Sequence, residues 1–118
     1  MEHLKRRQDF VAAAKGAYAA LPGVVLQLRS RADDAAPRVG FTATKKIGNA
    51  VVRNRVKRRL RAAAREILHT SARPGTDYVL VGRAATFDRP WADLVKDLTA
   101  ALKRLHGAPH GVPDKGKP

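Results

Sequence analysis

The chain has 118 residues, 24 of them Lys or Arg against 10 Asp or Glu, and a formal net charge of +14. That excess is too large for an ordinary soluble enzyme and points to a polyanionic partner. The length gives one domain, the 44% apolar content supports a packed core, and the lack of cysteine excludes disulfides, thiolate zinc sites and a cysteine nucleophile.

In chain order, Asp9 is placed to cap a short helix over 10–15, with Gly16 as its left-handed exit. Pro22 and Gly23 make a turn. Residues 24–29 alternate as a strand, with Val24, Leu26 and Leu28 on one face and Val25, Gln27 and Arg29 on the other. A polar loop over 31–37 leads to a second strand over 38–44, in which Val39, Phe41 and Ala43 alternate with Gly40, Thr42 and Thr44. Two strands joined by about eight residues most simply pair antiparallel. Asn49 caps a helix over 50–68 that contains no Gly or Pro. Residues 78–82 form a continuous apolar run, typical of a strand covered on both faces. Pro90 suits the first turn of a last helix, with Asp88 as its cap and Trp91, Leu94, Val95, Leu98, Ala101, Leu102 and Leu105 as its apolar stripe. The order is α-β-β-α-β-α: an α+β fold of the α/β-sandwich type, with helices packed on a small mixed sheet. One domain is expected over 1–106. Residues 107–118, rich in Gly, Pro and Lys, are expected to form a disordered tail.

The charge is concentrated. Lys45, Lys46, Arg53, Arg55, Lys57, Arg58, Arg59, Arg61 and Arg65 fall in a stretch with no acidic residue. On a helical wheel Val52, Val56, Leu60, Ala63 and Ile67 occupy an arc of about 80°. Lys57, Arg61, Asn54, Arg65 and Arg58 fill the opposite side, with Arg55 and Arg59 on one flank. Arg53 falls toward the apolar arc but lies in the first turn, where it can swing out. A solvated surface would mix signs, so an unmixed stripe implies an anion outside the chain. A smaller basic cluster is Lys5, Arg6 and Arg7.

Chemistry of the chain's own is not visible. The four histidines, His3, His69, His106 and His110, have no metal-binding spacing, and no strand ends in a carboxylate cluster able to hold two metal ions. No Gly-rich phosphate loop precedes a helix. No apolar run reaches the ~18–20 residues of a membrane span, and Met1–Gln8 lacks the apolar segment of a signal peptide. Cytoplasmic residence is expected, with neither a membrane nor DNA as partner. A cationic helix preceded by a basic turn suits phosphate contacts.

The segment from Arg38 to Arg61, with its Lys45-Lys-Ile-Gly-Asn-Ala-Val turn and its Arg53-Asn54-Arg55 core, closely resembles the signature of the protein subunit of bacterial ribonuclease P. Leu4–Phe10 resembles the opening helix of that family, and the resemblance fades only past about Gly107. It implies an unusual left-handed βαβ crossover around the Arg-Asn-Arg helix. It also implies that a catalytic RNA hydrolyses the 5′ leader from precursor tRNA with Mg²⁺ held mainly by RNA, while the protein docks on that RNA and contacts the leader. Carried over residue by residue, Arg53, Asn54 and Arg55 sit at the RNA interface, and Lys57, Arg58, Arg61, Lys45 and Lys46 add phosphate contacts. Phe10, Val25, Gln27 and Ala43 fall in the leader-binding cleft, where an aromatic ring can stack on an unpaired base.

Two positions depart from the pattern. Ala14 and Gln27 stand where the family often has aromatic residues. Stacking is worth roughly 1–3 kcal/mol per base, so leader recognition is expected to be weaker or differently selective and driven more by charge. Composition alone also fits a small basic ribosomal protein or an RNA chaperone. The spacing of the 45–61 segment favours the ribonuclease P subunit, and an independent nuclease lacks its carboxylates or histidines.

Overall fold

A computed structural model describes residues 1–107. The strands are β1 (Glu2–His3), β2 (Ala17–Leu21), β3 (Val24–Ser30), β4 (Arg38–Thr42) and β5 (Thr76–Gly82); the helices are α1 (Arg7–Ala14), α2 (Ala50–Ser71) and α3 (Trp91–Gly107). The sheet order is β1-β4-β5-β3-β2. The α+β sandwich is as expected, with two strands added. The expected tail lies, past Gly107, outside the described residues.

The pairing of the two predicted strands is corrected. β3 and β4 do not touch, because β5 lies between them, antiparallel to β3 and parallel to β4. The two-sided burial of β5 is consistent with this central place. Tyr78, Val79 and Leu80 are all buried, the pattern of a strand with helices over both faces. The added strand β2 pairs with β3 through the tight Pro22-Gly23 turn. That turn is held from the opposite side of the core. The Gly23 amide donates to the buried carboxylate of Asp97 on α3 at 2.8 Å, and Thr86 Oγ1 donates to the Gly23 carbonyl at 2.6 Å.

Two layers of helix flank the sheet. Val56, Leu60, Ala63, Ala64 and Leu68 of α2 join Leu94, Leu98, Ala101, Leu102 and Leu105 of α3 over one face, against Leu26, Val39, Tyr78 and Leu80. The predicted stripes hold except at their ends, where Val52, Ile67 and Val95 are half-buried and Trp91 is exposed. The other face carries only α1, packed through Ala13 and Phe10 on Val79 and Val81. A single short helix cannot cover five strands, so part of this face stays open.

The start of α1 is also corrected. The helix begins at Arg7 with Arg6 at the cap position and no side-chain cap. Asp9 lies inside the first turn and faces Arg29 at 3.5 Å and Arg38 at 3.6 Å. Gly16 does not adopt a left-handed conformation. It is needed because a Cβ there would sit 2.4 Å from the Leu28 carbonyl oxygen, so β2 can start hard against β3 only with glycine at that point. Asp88 does not cap α3; its first backbone bond runs from the Leu94 amide to the Pro90 carbonyl.

Candidate nucleic-acid interface

The basic turn and the N-terminus of α2 form as the sequence indicates. Lys45–Ile47 makes one 3-10 turn, and Asn49 then caps α2 by accepting from the Val52 amide at 3.0 Å. Lys45, Lys46, Asn54, Arg55, Arg58, Arg61 and Arg65 are exposed, and Arg53 and Lys57 are half-buried. Ion pairs hold Arg29, Arg31, Arg38 and Arg89. None belongs to α2 or its preceding turn. The cationic face is therefore uncompensated within the described protein. Arg53 goes further: its Nε is buried with no hydrogen-bond partner. Leaving such a donor unsatisfied costs about 1–3 kcal/mol.

Arg55 and Arg59 are different. Arg59 donates to the backbone carbonyls of Thr86 and Arg89, and Arg55 donates from Nε to the Phe87 carbonyl at 2.9 Å while lying 4.8 Å above the Phe87 ring. Both tie α2 to the 3-10 turn Ala84–Phe87. Arg55 remains exposed, so its outer edge is still available to an anion. Arg59 is half-buried, and burial together with the neighbouring charge of Arg55 lowers its pKa from the ordinary guanidinium value.

Beside the cationic face, the uncovered part of the sheet opens into a cavity of about 600 Å³. Phe10 and Ala14 of α1 form one wall, Gln27, Val79 and Val81 the floor, and Ala43 the far side. Lys57 reaches into the same cavity, so the cationic helix and the cleft share a residue. Of the expected cleft positions, Phe10, Gln27 and Ala43 line it. Val25 lies on the same sheet face, opposite Val81, but outside the lining. Phe10 is both a core residue and a cleft residue. Its ring sits on Gly40, where a Cβ would be 2.6 Å from its Cε1, and its remaining surface faces the cavity. Lys5 and Arg7 also line the cavity; they were visible in the sequence only as a terminal basic cluster.

At the end of the cleft face, Asp77 is fully buried and accepts from Arg38 through two bonds of 2.8 Å and from Arg31. Burial pushes its pKa up, but the hydrogen bonds from Arg38 and Arg31 outweigh that and hold it below the ordinary carboxylate value. With Asp9 and Asp77 committed to arginines, no group of three His, Asp or Glu side chains converges among the described residues. No helix among them is long and apolar enough to cross a membrane.

Comparison with known proteins agrees over nearly the whole chain. The Ribonuclease P family model matches residues 1–106. The ribonuclease P protein component of Caulobacter vibrioides strain NA1000 is 53% identical over 105 residues, spanning 88% of this chain and 70% of that one. Its counterpart in Ruegeria pomeroyi is 49% identical over 106 residues, spanning 87% and 85%. Among solved structures, the ribonuclease P protein of Staphylococcus aureus superposes with a TM-score of 0.71 at 27% identity, covering 87% of this chain and 94% of that one. That of Thermotoga maritima gives 0.71 at 27% identity, covering 88% and 97%. The reading as a ribosomal protein or RNA chaperone finds no support in these relatives. A capped cationic helix beside an open sheet face, a family match over 1–106 and relatives at half identity together place the chain in the ribonuclease P protein family.

Proposed function

We propose that this chain acts as the protein subunit of a ribonucleoprotein endoribonuclease in which the RNA carries the catalytic centre. The α2 face and the Lys45–Lys46 turn dock on that RNA, and the α1–sheet cleft takes the 5′ leader of precursor tRNA. The observation that carries this reading is the uncompensated charge of α2 running into the cleft through Lys57. Each phosphate that meets one of these cations releases counterions, which supplies affinity without any contact to a base. Arg53 and Arg55 would meet phosphates near the helix start, with Asn54 between them, and Arg58 and Arg61 further along. Mg²⁺ belongs to the RNA in this reading. The protein's part is to hold the leader and to neutralise phosphates brought close together, which favours precursor over mature tRNA.

Reconstitution tests the proposal. Protein added to the cognate catalytic RNA at low Mg²⁺ is expected to raise precursor cleavage at the 5′ end, and protein alone is expected to cleave nothing. Cleavage by the protein that survives complete removal of RNA would overturn it.

A further inference from the structure

The cleft has an aromatic residue that lies outside its cavity. β2 packs Ala17, Ala19 and Leu21 into the core, so Tyr18 and Ala20 point to the opposite face, the one that carries the cleft. Tyr18 pairs directly across from Gln27, the floor residue at that end. Directly opposed side chains on one sheet face stand about 5 Å apart at Cβ. Tyr18 thus continues the floor beyond Gln27 on the edge strand.

Its environment differs from that of the other tyrosine. Tyr78 is fully buried, and its hydroxyl meets the Arg73 amide at 2.9 Å and His106 Nε2 at 2.8 Å. Tyr18 is 39% exposed, and no hydrogen bond of its hydroxyl is found among the described residues. Val11, 43% exposed, lines the cavity from α1. Two of the chain's large exposed apolar side chains therefore belong to one face, where they widen an apolar floor flanked by Lys5, Arg7 and Lys57. An aromatic platform bordered by cations is what an unpaired nucleotide strand requires: ring faces for bases and ammonium or guanidinium groups for phosphates.

The path has a definite length. From β4 beside Ala43 and Lys57 to β2 the face crosses β5 and β3. Three strand spacings amount to about 14 Å. A leader entering beside the docking helix and running across the strands would pass Phe10 and reach Tyr18.

We propose that Tyr18 is a leader-contacting residue, stacking on an unpaired base of precursor tRNA beyond Gln27 and setting which leader position the protein reads. This rests on the cleft being the leader site. It also tempers the sequence expectation of recognition driven more by charge, since the aromatic absent at Gln27 stands one strand over.

The test uses the reconstituted holoenzyme and leaders made abasic at one position at a time. Tyr18→Ala is expected to weaken precursor binding about five- to a hundredfold, the range of one stacked base, with mature tRNA binding unchanged. Tyr18→Phe should bind as the parent does. One abasic position should cost the parent as much as Tyr18→Ala does, and cost the Tyr18→Ala enzyme nothing more. Gln27→Tyr added to Tyr18→Ala should recover affinity and move the sensitive position. Tyr18→Trp gives an independent signal: indole fluorescence quenched by precursor and not by mature tRNA. Unchanged precursor affinity in Tyr18→Ala, or equal losses in Tyr18→Ala and Tyr18→Phe, would overturn the stacking role. Phe10→Ala separates the two levels. If it weakens precursor binding while Tyr18→Ala does not, the cleft reading stands and Tyr18 fails. If neither variant matters, both fail.

Discussion

Arg58 and Arg59 are adjacent on α2, yet the structure gives them opposite fates, and this contrast makes the sharpest test of the docking face. Arg58 is exposed and has no protein partner among the described residues. Arg59 is half-buried and donates to the Thr86 and Arg89 carbonyls. If α2 docks on RNA as proposed, Arg58→Ala removes one phosphate contact and nothing from the fold. The slope of log affinity against log salt should fall by about 0.7–0.9. Between 50 and 200 mM salt, the parent would then lose about threefold more affinity than the variant. Its melting temperature should stay within about 2 °C, since surface substitutions of this kind change stability by less than about 0.5 kcal/mol. Arg59→Ala removes two charge-assisted bonds that pin α2 to the 84–87 turn. Hydrogen bonds to charged groups contribute about 1.5–3 kcal/mol each, and water will replace part of this, so a net loss of about 2–3 kcal/mol is expected. For a domain of this size that is a drop of about 10 °C or more. The assays are a salt titration of binding to the catalytic RNA and thermal unfolding of the free protein. A reduced slope in Arg59→Ala with unchanged melting, or an unchanged slope in Arg58→Ala, would refute the assignment.

Two further outcomes follow from the cleft side of the sheet. Asp77→Asn leaves Arg31 and Arg38 without their shared anion and should cost about 3 kcal/mol, as when one partner of a buried pair is removed. Because the Asp77 pKa is held below its ordinary value, its contribution is present above about pH 4 and lost as the pH falls through the lower folded value. Acid unfolding of the variant should therefore be shallower than that of the parent; identical profiles would show that Asp77 is not the linked group. Gly40→Ala places a Cβ 2.6 Å from Phe10 Cε1 and forces the ring into the cavity. Precursor affinity should fall about tenfold, within the worth of one aromatic platform, while affinity for the catalytic RNA is unchanged. Equal losses in both affinities would contradict the separation of cleft from docking face.

The cationic face of α2 was legible because its signals are local. Asn49 caps, no Gly or Pro interrupts 50–68, and the apolar period is regular enough to place Val56 and Leu60 in the core. β2 was not legible, because Ala17-Tyr-Ala-Ala-Leu21 has few of the residues that favour strands and becomes one only through burial under α3. The pairing of β3 with β4 failed for a related reason. Loop length is a local argument, whereas the insertion of β5 between β3 and β4 is made by residues 76–82, far along the chain. Arg59 escaped the helical wheel because the wheel holds no information about the 84–87 carbonyls, which arrive from elsewhere in the chain. Asp97 reads as a polar position on an amphipathic helix, and only the return of the Pro22-Gly23 turn makes it an anchor.

The strand that joins the sheet is the last one in the chain. Before β5 arrives, β1 with β4 and β2 with β3 are two separate ladders with no backbone bond between them. Contacts this distant in sequence slow folding, because the intervening chain must be ordered first. During synthesis, α2 and all its cations therefore emerge before there is a sheet to hold them. The cleft floor has Val79 and Val81 only when β5 has inserted. The charge of α2 is therefore present at an early stage, whereas the cleft proposed for the leader is complete only after the whole sheet has closed.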